Sequence, residues 1–140
     1  MAINISTVKI NAAPQKIWDA LTKPELVKKW QYGSDVITDW KEGSSIRFKT
    51  EMKDKVFEQW GTILKIVPLQ LISYSLFAPR PNLEDKPENY FVMNFKLTPE
   101  GNSTILEIAQ EDNRPGATQA APQGEENPIL AGLKTLVESL

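Results

Sequence analysis

Residues 126–140 read ENPILAGLKTLVESL. The apolar members, Ile129, Leu130, Leu133, Leu136, Val137 and Leu140, fall at i, i+1, i+4, i+7, i+8 and i+11. That spacing is one face of an α-helix. Asn127 has the side chain of an N-cap, and Pro128 suits a first helical position. A helix this short is marginal alone in water, so its apolar stripe needs a partner surface. The chain before it reads largely as antiparallel strands. The expected fold is α+β: a curved sheet wrapped around the closing helix, with an internal cavity between them.

Working back from that helix, residues 112–125 are rich in Pro, Gly, Ala and Gln and read as a loop. Ser103–Glu111 reads as a strand with Thr104, Leu106, Ile108 and Gln110 in phase. Pro99–Asn102 is its turn. Tyr90–Leu97 alternates, placing Phe91, Met93, Phe95 and Leu97 on one side. Residues 78–89, with three prolines, form a long loop. Leu69–Phe77 is a strand with Ile72, Tyr74 and Leu76 together. In Val56–Val67, strict alternation groups Trp60, Leu64 and Ile66 on one side and Phe57, Gly61 and Ile63 on the other. Gly61 inside a strand marks a bulge, a bend or a close backbone approach. Ile46, Phe48 and Thr50 alternate with wet residues, as do Val36, Thr38 and Trp40 before the Lys41–Gly43 turn. At the front, Ala2–Asn11 is a strand. Pro14 opens a helix carrying Ile17, Trp18 and Leu21, and Thr22–Glu25 matches a capping box that starts a second short helix with Leu26, Val27 and Trp30. These two helices read as scaffold. A recognition helix would expose Arg, Gln or Asn, and this one offers mainly Lys28 and Lys29.

The 140 residues fit one domain with one core, spanning 1–140. A net charge of −2 and the lack of a long basic run argue against phosphate-driven nucleic-acid binding. The chain has no Cys and no His. That excludes thiol nucleophiles, disulfides, Cys/His zinc sites and a histidine general base within it. Acidic residues show no EF-hand spacing, and no Gly-rich phosphate loop is present, so neither metal nor cofactor is expected. The first ten residues lack the apolar core of a signal peptide, and no stretch approaches a membrane span. The expected location is the cytoplasm.

The order strand, two helices, six strands, helix resembles the helix-grip superfamily, also called START-like or SRPBCC. Within it the chain is similar to the branch named after the activator of the heat-shock protein 90 ATPase. Ile10, Ala13-Pro14, Ile17-Trp18, Ala20-Leu21-Thr22, Pro24-Glu25, Leu26 and Trp30 carry that resemblance. Weaker agreement continues at Gly43, Gly61, Pro68, Gly101, Thr104 and Leu106. Two features depart from the pattern: Ile129 or Leu130 stands where the closing helix often begins with Trp, and Pro79–Asn89 is longer than usual. Either would reshape the cavity mouth. The resemblance implies a seven-stranded sheet around a long C-terminal helix, and a pocket. It does not imply one function.

Inner-face residues of such a sheet meet the helix or line a void. Those expected to contact a ligand are Phe48, Trp60, Tyr74, Phe91, Met93, Phe95, Leu106 and Gln110, with Leu130 and Leu133 from the helix. The rival reading of each is a filled core. Polar residues in phase with apolar neighbours, Thr38, Thr50, Tyr74 and Gln110, need partners that can be protein, water or ligand. Glu58, in phase with Trp60, is the weak candidate acid or base, were it to face inward. The first functional expectation is a binder of a hydrophobic small molecule, lipid-like or aromatic. The alternatives are a protein-interaction module regulating a chaperone ATPase, as the branch name implies, and a cyclase-like enzyme. An exposed strand edge would admit a homodimer.

Overall fold

The computed structural model describes residues 2–140 except Tyr32, Lys53 and Glu125, and the Met52 side chain also lies outside the described set. Strand β1 (Ala2–Ile10) leads into helices α1 (Pro14–Thr22) and α2 (Pro24–Trp30). Strands β2 (Asp35–Ile37), β3 (Ser45–Met52), β4 (Lys55–Val67), β5 (Leu71–Leu76), β6 (Phe91–Glu100) and β7 (Ser103–Asp112) follow. Helix α3 (Pro128–Glu138) closes the chain. The strands form one antiparallel sheet in the order β1-β7-β6-β5-β4-β3-β2. This is the expected helix-grip architecture, with a curved, open sheet.

Strand β4 is shared between two partners. Its residues 55–62 pair with β3, and residues 63–67 pair with β5. The β4/β5 register slips between Ile63 and Lys65, a β-bulge that adds a residue to one strand and bends it. At Gly61 an added Cβ would lie 1.8 Å from the Ser75 carbonyl oxygen. Of the three explanations open from sequence, close backbone approach is the one at Gly61, and the bulge follows it.

The bulge overturns the alternation drawn through this strand. Ile66, beyond it, pairs with buried Ile72 and packs on the core. Before it, the inward residues are Phe57, Gln59 and Ile63, while Leu64 is exposed. Trp60 and Glu58 therefore face out. Strict alternation, which groups Trp60 with Ile66, places Trp60 inside and Glu58 inside only conditionally.

Helix α3 is capped as expected: the Asn127 side-chain oxygen accepts the backbone N–H of Ile129 (2.9 Å) and of Leu130 (3.4 Å). At 11 residues it is shorter than the long helix the family implies, about 16 Å. Leu130, Leu133 and Val137 are buried, and the helix packs on β1, α1 and α2. Its C-terminal half is tied down. Lys134 Nζ donates to the Lys9 carbonyl at 2.8 Å, the Asn11 N–H donates to Glu138 at 2.8 Å, and Lys16 Nζ donates to the Leu140 carbonyl at 2.7 Å.

One further expectation changes. The α1–α2 junction is not a capping box: Lys23 is the N-cap and makes no side-chain cap, and the Thr22 hydroxyl donates back to Trp18 O at 2.8 Å. Pro24 at the first helical position removes one donor that a cap would have served. Trp30 Nε1 instead bonds Ala20 O at 2.7 Å and locks the two helices together. The loop over residues 113–124 is stitched to the outer edge of β1: Thr7 N–H donates to Gln123 O at 2.9 Å, Gln123 N–H to Ile5 O at 3.0 Å, and Ala120 N–H to the Asn4 side chain at 2.6 Å. These bonds occupy part of an edge that would otherwise be open to another chain. None of the described helices is long and apolar enough to cross a membrane.

Candidate functional site: a pocket between the sheet and the start of α3

A partly open pocket of about 440 Å³ lies on the concave face. The sheet supplies Ser6 from β1, Phe48 and Thr50 from β3, Phe57 and Gln59 from β4, and Tyr74 and Leu76 from β5. Phe91, Met93 and Phe95 from β6 and Ile108 and Gln110 from β7 complete that wall. Opposite stand Trp30, Gln31 and Ser34 from the end of α2 and the turn after it, and Asn127, Ile129 and Leu130 from the first turn of α3. The site exists because α3 is short and anchored by its far end. Its first turn caps the concave space without filling it.

Of the residues singled out from sequence, the structure brings Phe48, Tyr74, Phe91, Met93, Phe95, Gln110 and Leu130 to this pocket. Leu106 and Leu133 do not line it: both are fully buried in the hydrophobic core, Leu106 on β7 and Leu133 on α3. Trp60 is on the opposite face. There its Nε1 donates to Asp85 at 2.9 Å, its ring packs on Phe77 at 5.4 Å, and Tyr90 donates to the same carboxylate at 2.6 Å. These contacts clasp the 78–90 loop onto the outer face, and none of residues 79–89 lines the pocket, so this loop does not reshape the mouth. Glu58 faces the same way, with Arg47 at 3.5 Å and Lys49 at 3.8 Å. Thr38 bonds Ser45 O at 2.8 Å outside the pocket.

Sequence reasoning missed Phe57 and Gln59, which the bulge hid. It also missed Trp30, which serves core and pocket together. Leu76 and Ile108 were readable, being in phase with Tyr74 and Gln110.

The wall is built of aromatic rings. Tyr74 sits between Phe48 (centroids 5.8 Å) and Phe95 (5.7 Å, 27° between planes). Burial pushes the Tyr74 phenol well above its ordinary range, so it stays neutral. Ser34 and Thr50 hydroxyls pair at 2.6 Å. At the β6/β7 end, Arg114 lies over the Phe91 ring at 4.5 Å, a cation–π contact. Asp112 holds that guanidinium through Nε at 2.8 Å and a terminal nitrogen at 2.7 Å. No cluster that could hold a metal occurs among the described residues.

The hydrogen bond from Arg114 keeps the Asp112 carboxyl below its ordinary value of 3.8, with the guanidinium's charge adding to it. A depressed folded-state pKa gives stability that is complete above the unfolded value and is lost as pH falls through the folded one. Wild type should therefore exceed Asp112→Asn in melting temperature at neutral pH. That gap should shrink as pH drops below about 4. A gap unchanged between pH 6 and pH 3 would show that the pair does not stabilise the fold.

Residues 11–139 match the family model described as activator of Hsp90 ATPase homolog 1-like protein. No curated protein matches the chain. A Cytophaga hutchinsonii protein solved in solution is 40% identical, with 80% of this chain and 78% of that one covered and a TM-score of 0.66. A Nitrosomonas europaea crystal structure shares the fold at TM-score 0.74 and 15% identity, over 99% of this chain and 95% of that one. The Aha1 dimer from Colwellia psychrerythraea is 22% identical at TM-score 0.62, over 84% and 81%. With residues 11–139 of its 140 matched by the family model, the chain belongs to the activator of Hsp90 ATPase homolog 1-like family.

Proposed function

We propose that this chain is a cytoplasmic binding protein whose concave pocket takes one hydrophobic small molecule. The observation that carries the reading is the pocket itself. About 440 Å³ falls within the size range of small-molecule sites, and the wall is mainly aromatic and aliphatic with a few hydroxyls and amides. Aromatic faces supply apolar contact, and Met93 can adapt to ligand shape. A neutral naphthalene fluorophore such as prodan should bind with one-to-one stoichiometry. It should raise the melting temperature, because a ligand at about 100 times its Kd adds about 2.7 kcal/mol to the folded state. No saturable signal across a broad set of neutral apolar compounds would count decisively against this reading.

The family's description favours a second reading, a protein-interaction module acting on a chaperone ATPase, and the Colwellia relative forms a dimer. Stimulation of a purified Hsp90-type ATPase by this chain would favour it over ligand binding. The cyclase alternative loses its proposed acid, since Glu58 faces outward beside Arg47 and Lys49.

A further inference from the structure

We infer, resting on the small-molecule reading above, that the pocket selects uncharged planar aromatic compounds whose hydrogen-bonding oxygen meets the Tyr74 hydroxyl, and that it discriminates against carboxylates. Two independent observations carry this. First, none of the described lining residues is charged. A carboxylate or phosphate entering the pocket would leave water without a counter-charge, at a cost far larger than a neutral oxygen incurs. Second, Tyr74 is 4% exposed, yet its hydroxyl makes no hydrogen bond to any described residue. No fully enclosed side-chain nitrogen or oxygen among the described residues is left without a partner. The hydroxyl therefore keeps a little exposure, and the pocket is the open space that Tyr74 lines. A phenol can donate one hydrogen bond and accept others.

The remaining polar groups agree with this assignment. The Ser34 and Thr50 hydroxyls share one hydrogen bond; Gln59 and Gln110 are more exposed to water, and Tyr74 is the buried polar side chain of the described lining that makes no hydrogen bond. Phe48, Tyr74 and Phe95, packed ring to ring in the wall, supply the aromatic contact that suits an aromatic ligand. Arg114, the cation stacked on Phe91, is already paired with both oxygens of Asp112 and is not part of the pocket lining.

Three matched probes test the inference on the full chain: fluorene, fluorenone and fluorene-9-carboxylate, measured by equilibrium titration at neutral pH. Fluorenone should bind about fivefold to tenfold more tightly than fluorene, the gain of one hydrogen bond. The carboxylate should bind more weakly than the ketone by at least about tenfold. Tyr74→Phe should weaken fluorenone binding more than fluorene binding, closing most of the gap between the two. Equal or tighter binding of the carboxylate would overturn the inference and leave the pocket reading intact, as would undiminished ketone affinity in Tyr74→Phe. Failure of all three probes to bind would overturn both. Should the variant not fold, the ranking of the three probes on the wild-type chain still decides charge selection.

Discussion

Gly61→Ala is expected to lower the melting temperature by roughly 10 °C, corresponding to about 3 kcal/mol. The reason is space, not backbone freedom. The new methyl would sit 1.8 Å from the Ser75 carbonyl oxygen and 2.5 Å from its carbon. Both belong to the β5 backbone, so no flexible side chain can swing aside. Strands β4 and β5 would have to part at the bend that shapes the pocket. Gly132→Ala is the contrast. Gly132 lies inside α3 with nothing within 4 Å of the added carbon, so alanine should stabilise by about 0.5–1 kcal/mol. Thermal unfolding followed by circular dichroism reads both. A Gly61→Ala change below about 2 °C would mean that β4 and β5 are not closely apposed there.

The second large effect is on binding. Met93→Glu places a carboxylate on the pocket wall, where the described lining holds no cation to pair with it. Affinity for a neutral apolar probe should fall by more than about tenfold. Trp60→Ala should leave that affinity unchanged, because Trp60 packs on Phe77 and Asp85 across the sheet. It should instead loosen the 78–90 loop, read as faster amide exchange at residues 85–90. Loss of binding in Trp60→Ala with retained binding in Met93→Glu would reverse the assignment of the two faces.

That contrast also marks where the sequence was legible. The α3 stripe, the Asn127 cap and the seven strands could be read because each depends on local spacing. The inner faces of β5, β6 and β7 could be read too, since Tyr74, Phe91, Met93, Phe95 and Gln110 keep strict alternation without a slip. In β4 one inserted residue inverts the parity, so strict alternation puts Trp60 on the wrong face. The flanking Gly61 hinted at irregularity but not at its position. Leu106 and Leu133 show a different limit. Both face inward, yet whether an inward side chain meets helix or open space depends on where α3 stops and what pins its end. The contacts of Lys134, Glu138 and Lys16 with residues more than a hundred positions away decide that.

Methyl-labelled protein titrated with fluorene and followed by two-dimensional NMR tests the pocket most directly. Saturable shifts at Met93, Ile108, Ile129 and Leu130, with Val56 and Leu64 unmoved, are the expected result. Shifts that never saturate, or that centre on the outer-face methyls, would contradict a ligand site between the sheet and α3.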